Sequence, residues 1–206
     1  MFYSQSEQDK WVCENTNYKK NGYFLDIGAY DGIQTSNSYY LEKELNWNGI
    51  CVEANPNIFN ILKNNRKSIN INCAVSDHIG ECYFNNDKIT NNPNHIKVNT
   101  LDLYTLLKEY NSPKYIDYLS IDIEGHEVNV FNKFFEKNEN FYTFGYLTVE
   151  HNLYCDGPEN KERIYEILTN NGYERVVDNA LCKDKNPLYF NKPYEDWYKL
   201  KEDVKN

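Results

Sequence analysis

The sequence predicts an α/β fold in which an open, mostly parallel sheet is covered by helices on both faces. Three observations carry this. Short apolar runs alternate with amphipathic segments along the 206-residue chain. A glycine-bearing turn, Gly28 to Gly32, follows the first apolar run directly. Acidic residues then close successive runs, at Glu53, Asp77, Asp122 and Glu150. Right-handed crossovers bring the carboxyl ends of parallel strands to one edge, which is where such sheets bind ligands.

The elements follow in order. Tyr23-Phe24-Leu25-Asp26-Ile27 reads as a buried strand, and Thr35 to Leu45 as a helix with apolar residues at 39, 41 and 45. Gly49 to Glu53 is a second strand. Asn55-Pro56 opens a helix through Arg66, with Asn55 as N-cap and Pro56 in the first helical position. Asn70 to Val75 is a third strand, and the Asn-rich stretch 85–99 a loose loop. Asn99 or Thr100 caps a Leu-rich helix to about Tyr110. Tyr115 to Ile121 is a fourth strand, Glu127 to Phe135 a helix, and Phe144 to Val149 a fifth strand. Pro158 to Asn170 is a helix closed by Gly172. Tyr173 to Val177 and Leu188 to Phe190 are the last strand candidates.

Composition narrows the function. The net charge of −9, with 22 Lys and Arg against 31 acids, disfavours nucleic acid and anionic membrane surfaces as partners. No apolar run approaches the ~18–20 residues of a membrane span. The first residues, Met1 to Glu7, have neither the basic nor the apolar region of a signal peptide. Six cysteines, at 13, 51, 73, 82, 155 and 182, form no C-x-x-C pair, so a reducing, cytoplasmic-type location is expected.

The strand ends carry the chemistry. In Asp26-Ile27-Gly28-Ala29-Tyr30-Asp31-Gly32 the glycines permit a tight turn, while the acids would repel a pyrophosphate and suit a ligand bearing ammonium and sulfonium. A plain β-α turn explains the glycines as well. Glu53, 21 residues beyond Gly32, is placed to accept both hydroxyls of a ribose, or is a solvated strand-end acid. Asp77 suits an adenine amino group or a turn. Asp122, Glu124, Glu150 and His151 converge from two adjacent strands. They could furnish a general base, with His151 first choice, or hold a hard divalent cation. His126 fits a helix start, and Glu127 complements the helix dipole.

These motifs resemble the FkbM family of methyltransferases. The residues concerned are Asp26 to Gly32, Leu41 to Trp47 with Gly49, Glu53-Ala54-Asn55-Pro56, Ile121 to Glu127 and Val149-Glu150-His151-Asn152. Ser4 to Asp9 and Glu195 to Tyr198 resemble the opening and closing segments of one branch. The resemblance implies a Rossmann-like class I fold over residues 1–206 as one domain. Its seven-stranded sheet would have the last strand antiparallel between the fifth and sixth. It implies S-adenosylmethionine as cofactor and a helical segment, 1–20, contributing to its site with Gln5. Gly28, Ala29, Tyr30 and Asp31 would line the methionine end beside Asp26. Glu53, with Ala54 and Asn55, would take the ribose, Ser76 and Asp77 the adenine, and Asp122 would lie under the methyl. Glu124, Glu150 and His151 would face the acceptor, expected to be a sugar or glycan hydroxyl. A divalent metal is an open alternative.

Two rivals are a dinucleotide-dependent oxidoreductase and a non-catalytic binding module on the same scaffold. The first predicts a G-x-G-x-x-G turn, where this chain has Gly28-x-x-x-Gly32. The second predicts lost cleft residues, yet Asp122, Glu124, Glu150 and His151 are present. A nucleic-acid methyltransferase is disfavoured by charge and by the absence of an Asn-Pro-Pro-aromatic segment after the fourth strand.

Overall fold

The computed structural model describes residues 1–85, 88–139, 141–183, 187–188 and 190–204. The chain runs α1 (Gln8–Asn15), β1 (Tyr23–Ile27), α2 (Tyr39–Leu45), β2 (Asn48–Val52), α3 (Pro56–Asn65) and β3 (Ile69–Ile71). It continues through β4 (Ala74–Ser76), β5 (Gly80–Asn85), β6 (Lys88–Thr90) and β7 (Ile96–Asp102). It returns through α4 (Leu103–Glu109), β8 (Tyr115–Ile121), α5 (Glu127–Asn138), β9 (Thr143–Glu150), α6 (Leu153–Asp156), α7 (Glu159–Asn170), β10 (Tyr173–Leu181) and β11 (Pro193–Leu200).

The main sheet has seven strands in the order β10-β11-β9-β8-β1-β2-β3. Pairings from β3 across to β9 are parallel. β11 inserts antiparallel between β9 and β10, the predicted place for the last strand. Strand side chains alternate between faces. Phe24, Cys51 and Tyr118 pack with Val12, Leu41 and Leu62 from α1, α2 and α3. Leu25, Ile50, Leu119 and Leu147 pack instead with Leu106, Phe131 and Leu168 from α4, α5 and α7. Each wholly buried Leu or Phe contributes about 1.5–3 kcal/mol of transfer free energy, so the two apolar layers fix the sheet between them.

Register then sets the edge. Ile27 pairs with Val52 on one side and Ile121 on the other, and Ile121 pairs with Val149. The next residues of these four strands are Gly28, Glu53, Asp122 and Glu150, and Glu150 pairs with Glu195 of β11. One edge therefore gathers a glycine and four acids.

Several predicted elements change. The third strand splits: β3 joins the main sheet, and β4 joins a second sheet of order β4-β7-β5-β6. The stretch 85–99 contributes strand to that sheet rather than a loose loop, with residues 86 and 87 outside the described residues. Val98 and Thr100 are buried while Lys97 and Asn99 are exposed, a period-two pattern that the polar residues conceal. Because β7 continues to Asp102, the α4 cap is Asp102, whose Oδ1 accepts from Thr105 N at 3.0 Å, and not Asn99 or Thr100. The segment before Tyr39 is non-helical, and Ser38 turns its hydroxyl to Asp26 Oδ2 at 2.5 Å instead of capping α2. The last strand is β11, not 188–190; of that segment, 188 and 190 lie in turn and residue 189 is outside the described residues. No described helix is long and apolar enough to cross a membrane.

Gly28 sits at φ +86°, and a Cβ there would lie 1.9 Å from the Asp122 carbonyl oxygen. Positive φ and this close approach both exclude a side chain. Gly28→Ala is expected to cost about 3 kcal/mol in urea unfolding. An unchanged midpoint and slope would contradict the packing of β1 against β8 at this edge.

Candidate active site

A cavity of about 360 Å³ opens on the carboxyl edge above β1, β2 and β8. That size lies within the ~300–1,000 Å³ common for small-molecule sites. Its floor is the β1 turn. Gly28 N and Ala29 N both donate to Val52 O at 3.0 Å, and Tyr30 adopts φ +50°. Of the residues expected at the site, Gln5, Asp26, Gly28, Ala29, Tyr30, Glu53, Ala54, Asp122 and Glu124 line the cavity.

Glu53 organises one end. Its carboxylate accepts from Tyr30 N at 3.1 Å and from Asn55 N at 2.7 Å, tying the β1 turn to the start of α3. Burial pushes its pKa up to about 7, against the backbone N–H groups that stabilise its charge. Cys73, Ala74, Val75, Phe84 and Ile89 add an apolar wall. All but Cys73 come from the second sheet, whose strands β5 and β6 sequence periodicity did not reveal.

Acids dominate the other end. Ligand atoms of Asp122, Glu124 and Glu150 lie within 4.8 Å of one another. Burial raises the pKa of Asp122, opposed by a hydrogen bond from Glu150. Burial and the charges of Asp122, Glu124 and Glu127 hold Glu150 well above the ordinary carboxylate range. The neutral form of Glu150 is thus favoured, and its side chain hydrogen-bonds to Asp122. Asn152 Nδ2 donates to Glu150 Oε2 at 2.9 Å. Glu127, pushed up to about 8 chiefly by burial, accepts from Ile123 N at 2.9 Å and Gly125 N at 3.0 Å. It thereby fixes the loop in which Glu124 takes φ +59°. Glu195, also raised by burial to about 8, is held by Trp197 Nε1–H at 2.5 Å.

Other predicted residues lie elsewhere. His151 is 1% exposed and outside the cavity lining, with Nε2 3.3 Å from Asp196 Oδ1 and Nδ1 accepting from Leu153 N at 3.2 Å. At the end of β9, Glu150 turns to the acidic cluster while His151 turns to Asp196 of β11, away from the cavity lining. Asp31 does not line the cavity; its Oδ1 accepts from Ile33 N and Gln34 N and shapes the turn. Asn55 caps α3 as read, through Asn57 N at 3.0 Å, but is not a wall residue. Ser76 and Asp77 turn away from the cavity toward His78 and His126. Asp26 lines the cavity yet is committed to Ser38, below which Arg66 supplies the balancing charge. Sequence reasoning missed Gln34 to Asn37 and Ser120; Asn37 Nδ2 donates to Ser120 Oγ at 2.9 Å.

The arrangement suits a nucleoside with a cationic group: a buried acceptor beside an apolar wall at one end, and carboxylates at the other. Comparison with known proteins agrees. The methyltransferase FkbM domain profile matches residues 26–90 and 83–175. No curated protein sequence matches the chain. The solved O-methyltransferase from Bacillus cereus, in complex with SAH, is similar with a TM-score of 0.59 at 12% identity, over 97% of this chain and 83% of that one. The precorrin-6y C5,15-methyltransferase from Geobacter metallireducens GS-15 gives 0.51 at 11% identity, over 93% and 86%. The fibrillarin pre-rRNA processing protein of Methanococcus jannaschii gives 0.50 at 17%, over 90% and 68%. At these identities the likeness is one of fold. The profile spans most of the chain, and the chain belongs to the FkbM methyltransferase family, whose methyl donor is S-adenosylmethionine.

Proposed function

We propose that this protein transfers a methyl group to a hydroxyl of a sugar or glycan. The observation that carries the reading is the in-register row of Gly28, Glu53 and Asp122 lining one cavity, with buried Glu150 next to Asp122 in the row. Glu53 accepts the ribose hydroxyls, with Ala54 beside it, and the Cys73–Val75 wall with Phe84 and Ile89 covers the adenine. Gln5 and the Gly28–Tyr30 backbone hold the methionine end. When bound, S-adenosylmethionine supplies a methyl already activated on a sulfonium, so alignment accounts for much of the rate.

Asp122 then has two tasks. Its charge faces the sulfonium, and it accepts the proton of the incoming hydroxyl. Glu150 stabilises the ionised Asp122 through a hydrogen bond to it, and the hydroxyl proton passes to Asp122 as the methyl leaves the sulfonium. Glu124, strained at φ +59°, presents a second acceptor for a neighbouring hydroxyl. Tyr30, 48% exposed at the cavity lip, offers a ring face for sugar C–H groups. The acidic mouth and the −9 net charge oppose phosphate-rich acceptors, which supports a glycan over a nucleic acid. A second reading rests on the same acids: Asp122, Glu124 and Glu150 form a donor set for one hard divalent cation. Lys88 Nζ, 3.9 Å from Glu124 Oε2, and the Glu150 proton already offset these charges, which favours transfer without a metal. Loss of transfer on thorough chelation, restored by Mg²⁺, would reverse that preference.

Glu53→Ala is expected to weaken S-adenosylhomocysteine binding by about 10–100-fold in calorimetry, since charged hydrogen bonds are worth about 1.5–3 kcal/mol. An unchanged Kd would remove Glu53 from the ribose site. Asp122→Asn should lower kcat by about 10²–10⁴ on a glycan acceptor panel read by mass. His151→Gln should lower the melting temperature while leaving the pH profile of transfer unmoved; a lost acidic limb would restore His151 as base.

The ligand-free protein should also lose stability with rising pH. Glu53, Glu127 and Glu195 keep protons in the folded chain that the unfolded chain releases near 4.5. Their folded pKa values are raised, so the folded state is favoured below the unfolded value and penalised as pH climbs from about 5 to 8. His126, lowered by burial, acts in the opposite sense as a single group. Melting at about pH 8.5 should fall below that at about pH 6, and the reverse order would contradict these burials.

A further inference from the structure

We propose that Asn37, rather than the strand acid Asp26, receives the α-ammonium of the methyl donor. The carboxyl edge has two sides about Gly28. On the β2 side stand Glu53 and the apolar wall, to which the ribose and adenine are assigned above. On the β8 side Asp26 pairs with Ser120, and Asn37 lines the same cavity hydrogen-bonded to Ser120. A nucleoside seated on the β2 side leaves the β8 side to its amino-acid tail.

Hydrogen-bond direction decides how the Asn37 amide lies. Asp26 is buried and accepts from two hydroxyls, Ser38 Oγ at 2.5 Å and Ser120 Oγ. Arg66 Nη2 donates to Ser38 Oγ at 3.0 Å, and Asn37 Nδ2 donates to Ser120 Oγ at 2.9 Å. A hydroxyl has a single proton, so each of these serines gives its own to the carboxylate and takes a donor from behind. The Asn37 amide is thereby held with its nitrogen toward Ser120 and its oxygen turned away. That oxygen, Oδ1, is buried and has no hydrogen-bond partner among the described residues. A buried acceptor in this state is costly, and a charged donor is the partner that relieves it most.

Neighbouring polar groups are already engaged. Ser36 Oγ accepts from Arg66 Nη1 at 3.3 Å and from Tyr39 N at 3.1 Å. The Gln5 side chain is hydrogen-bonded to Tyr194. The amide oxygen has no proton to give, so it takes an N–H donor and turns away a carboxylate. In an amino-acid tail the ammonium is that donor. Residues 36–38 are loop between the Ser4–Thr35 bridge and α2, so the amide can shift onto a ligand without breaking a helix or a strand.

This assignment rests on S-adenosylmethionine as donor and on the seat given above to its ribose and adenine, not on the acceptor, and its test reads binding alone. Wild-type and Asn37→Ala proteins are titrated by calorimetry with S-adenosylhomocysteine, its decarboxylated analogue and 5′-methylthioadenosine, which lacks the whole amino-acid tail. Asn37→Ala should weaken the first two by about tenfold or more and leave the third unchanged, because a charge-assisted hydrogen bond is lost and the nucleoside contacts are kept. Unchanged 5′-methylthioadenosine binding also reports an intact fold. Glu53→Ala, by contrast, should weaken all three. A loss spared in the decarboxylated analogue would give Asn37 to the carboxylate. An equal loss in all three would make it a general support of the cavity, and no loss would leave the ammonium to Asp26 or another group; each of these overturns the assignment. Wild-type protein that binds none of the three would overturn the donor as well.

Discussion

Parallel register is the constraint on which the rest depends. Ile27, Val52, Ile121 and Val149 lie in one row across four strands, each wholly or nearly wholly buried. Their apolar packing leaves the following residues no choice of edge. Gly28, Glu53, Asp122 and Glu150 therefore emerge together, with Glu195 beside them from the antiparallel strand. Like charges gathered in this way are costly in a low-dielectric site. The fold relieves the cost by keeping protons on Glu53, Glu127, Glu150 and Glu195 and by aiming backbone N–H groups at Glu53 and Glu127. A cationic ligand would relieve it further, and this is the link between the sheet and methyl transfer from a sulfonium.

The site rests on a supporting layer of polar contacts. Asp26, Ser38, Arg66 and Glu42 form a chain beneath the cavity, from β1 through the loop before α2 to the end of α3. Glu127 braces the loop after β8 from the first turn of α5. His151 and Asp196 brace β9 against β11, where Arg175 Nη1 and Asn179 N also donate to Asp196. A site whose reacting groups are held by such contacts needs little reorganisation when its ligand arrives.

Much of this was legible in the sequence where the controlling physics is local. The Asn55–Pro56 helix start was readable because both residues act within one turn. The strand-end acids were readable because parallel topology leaves one edge for them. Non-local pairing hid the rest. The second sheet buries only alternate residues of an Asn-rich stretch, so its strands lack an apolar run. β11 buries Glu195 and Asp196 by pairing them, and charge disguised the strand. Adjacent acids and a histidine at Glu150-His151 read as one cluster, yet the strand end sends them to different partners. Ser76 and Asp77 likewise follow a wall residue but turn outward to two histidines.

A crystal structure with S-adenosylhomocysteine tests the central claim most directly. The account predicts both ribose hydroxyls within about 2.6–3.2 Å of the Glu53 carboxylate, the sulfur facing Asp122, and Glu150 still hydrogen-bonded behind it. A nucleoside seated away from Glu53, or Asp122 and Glu150 facing separate surfaces, would contradict it.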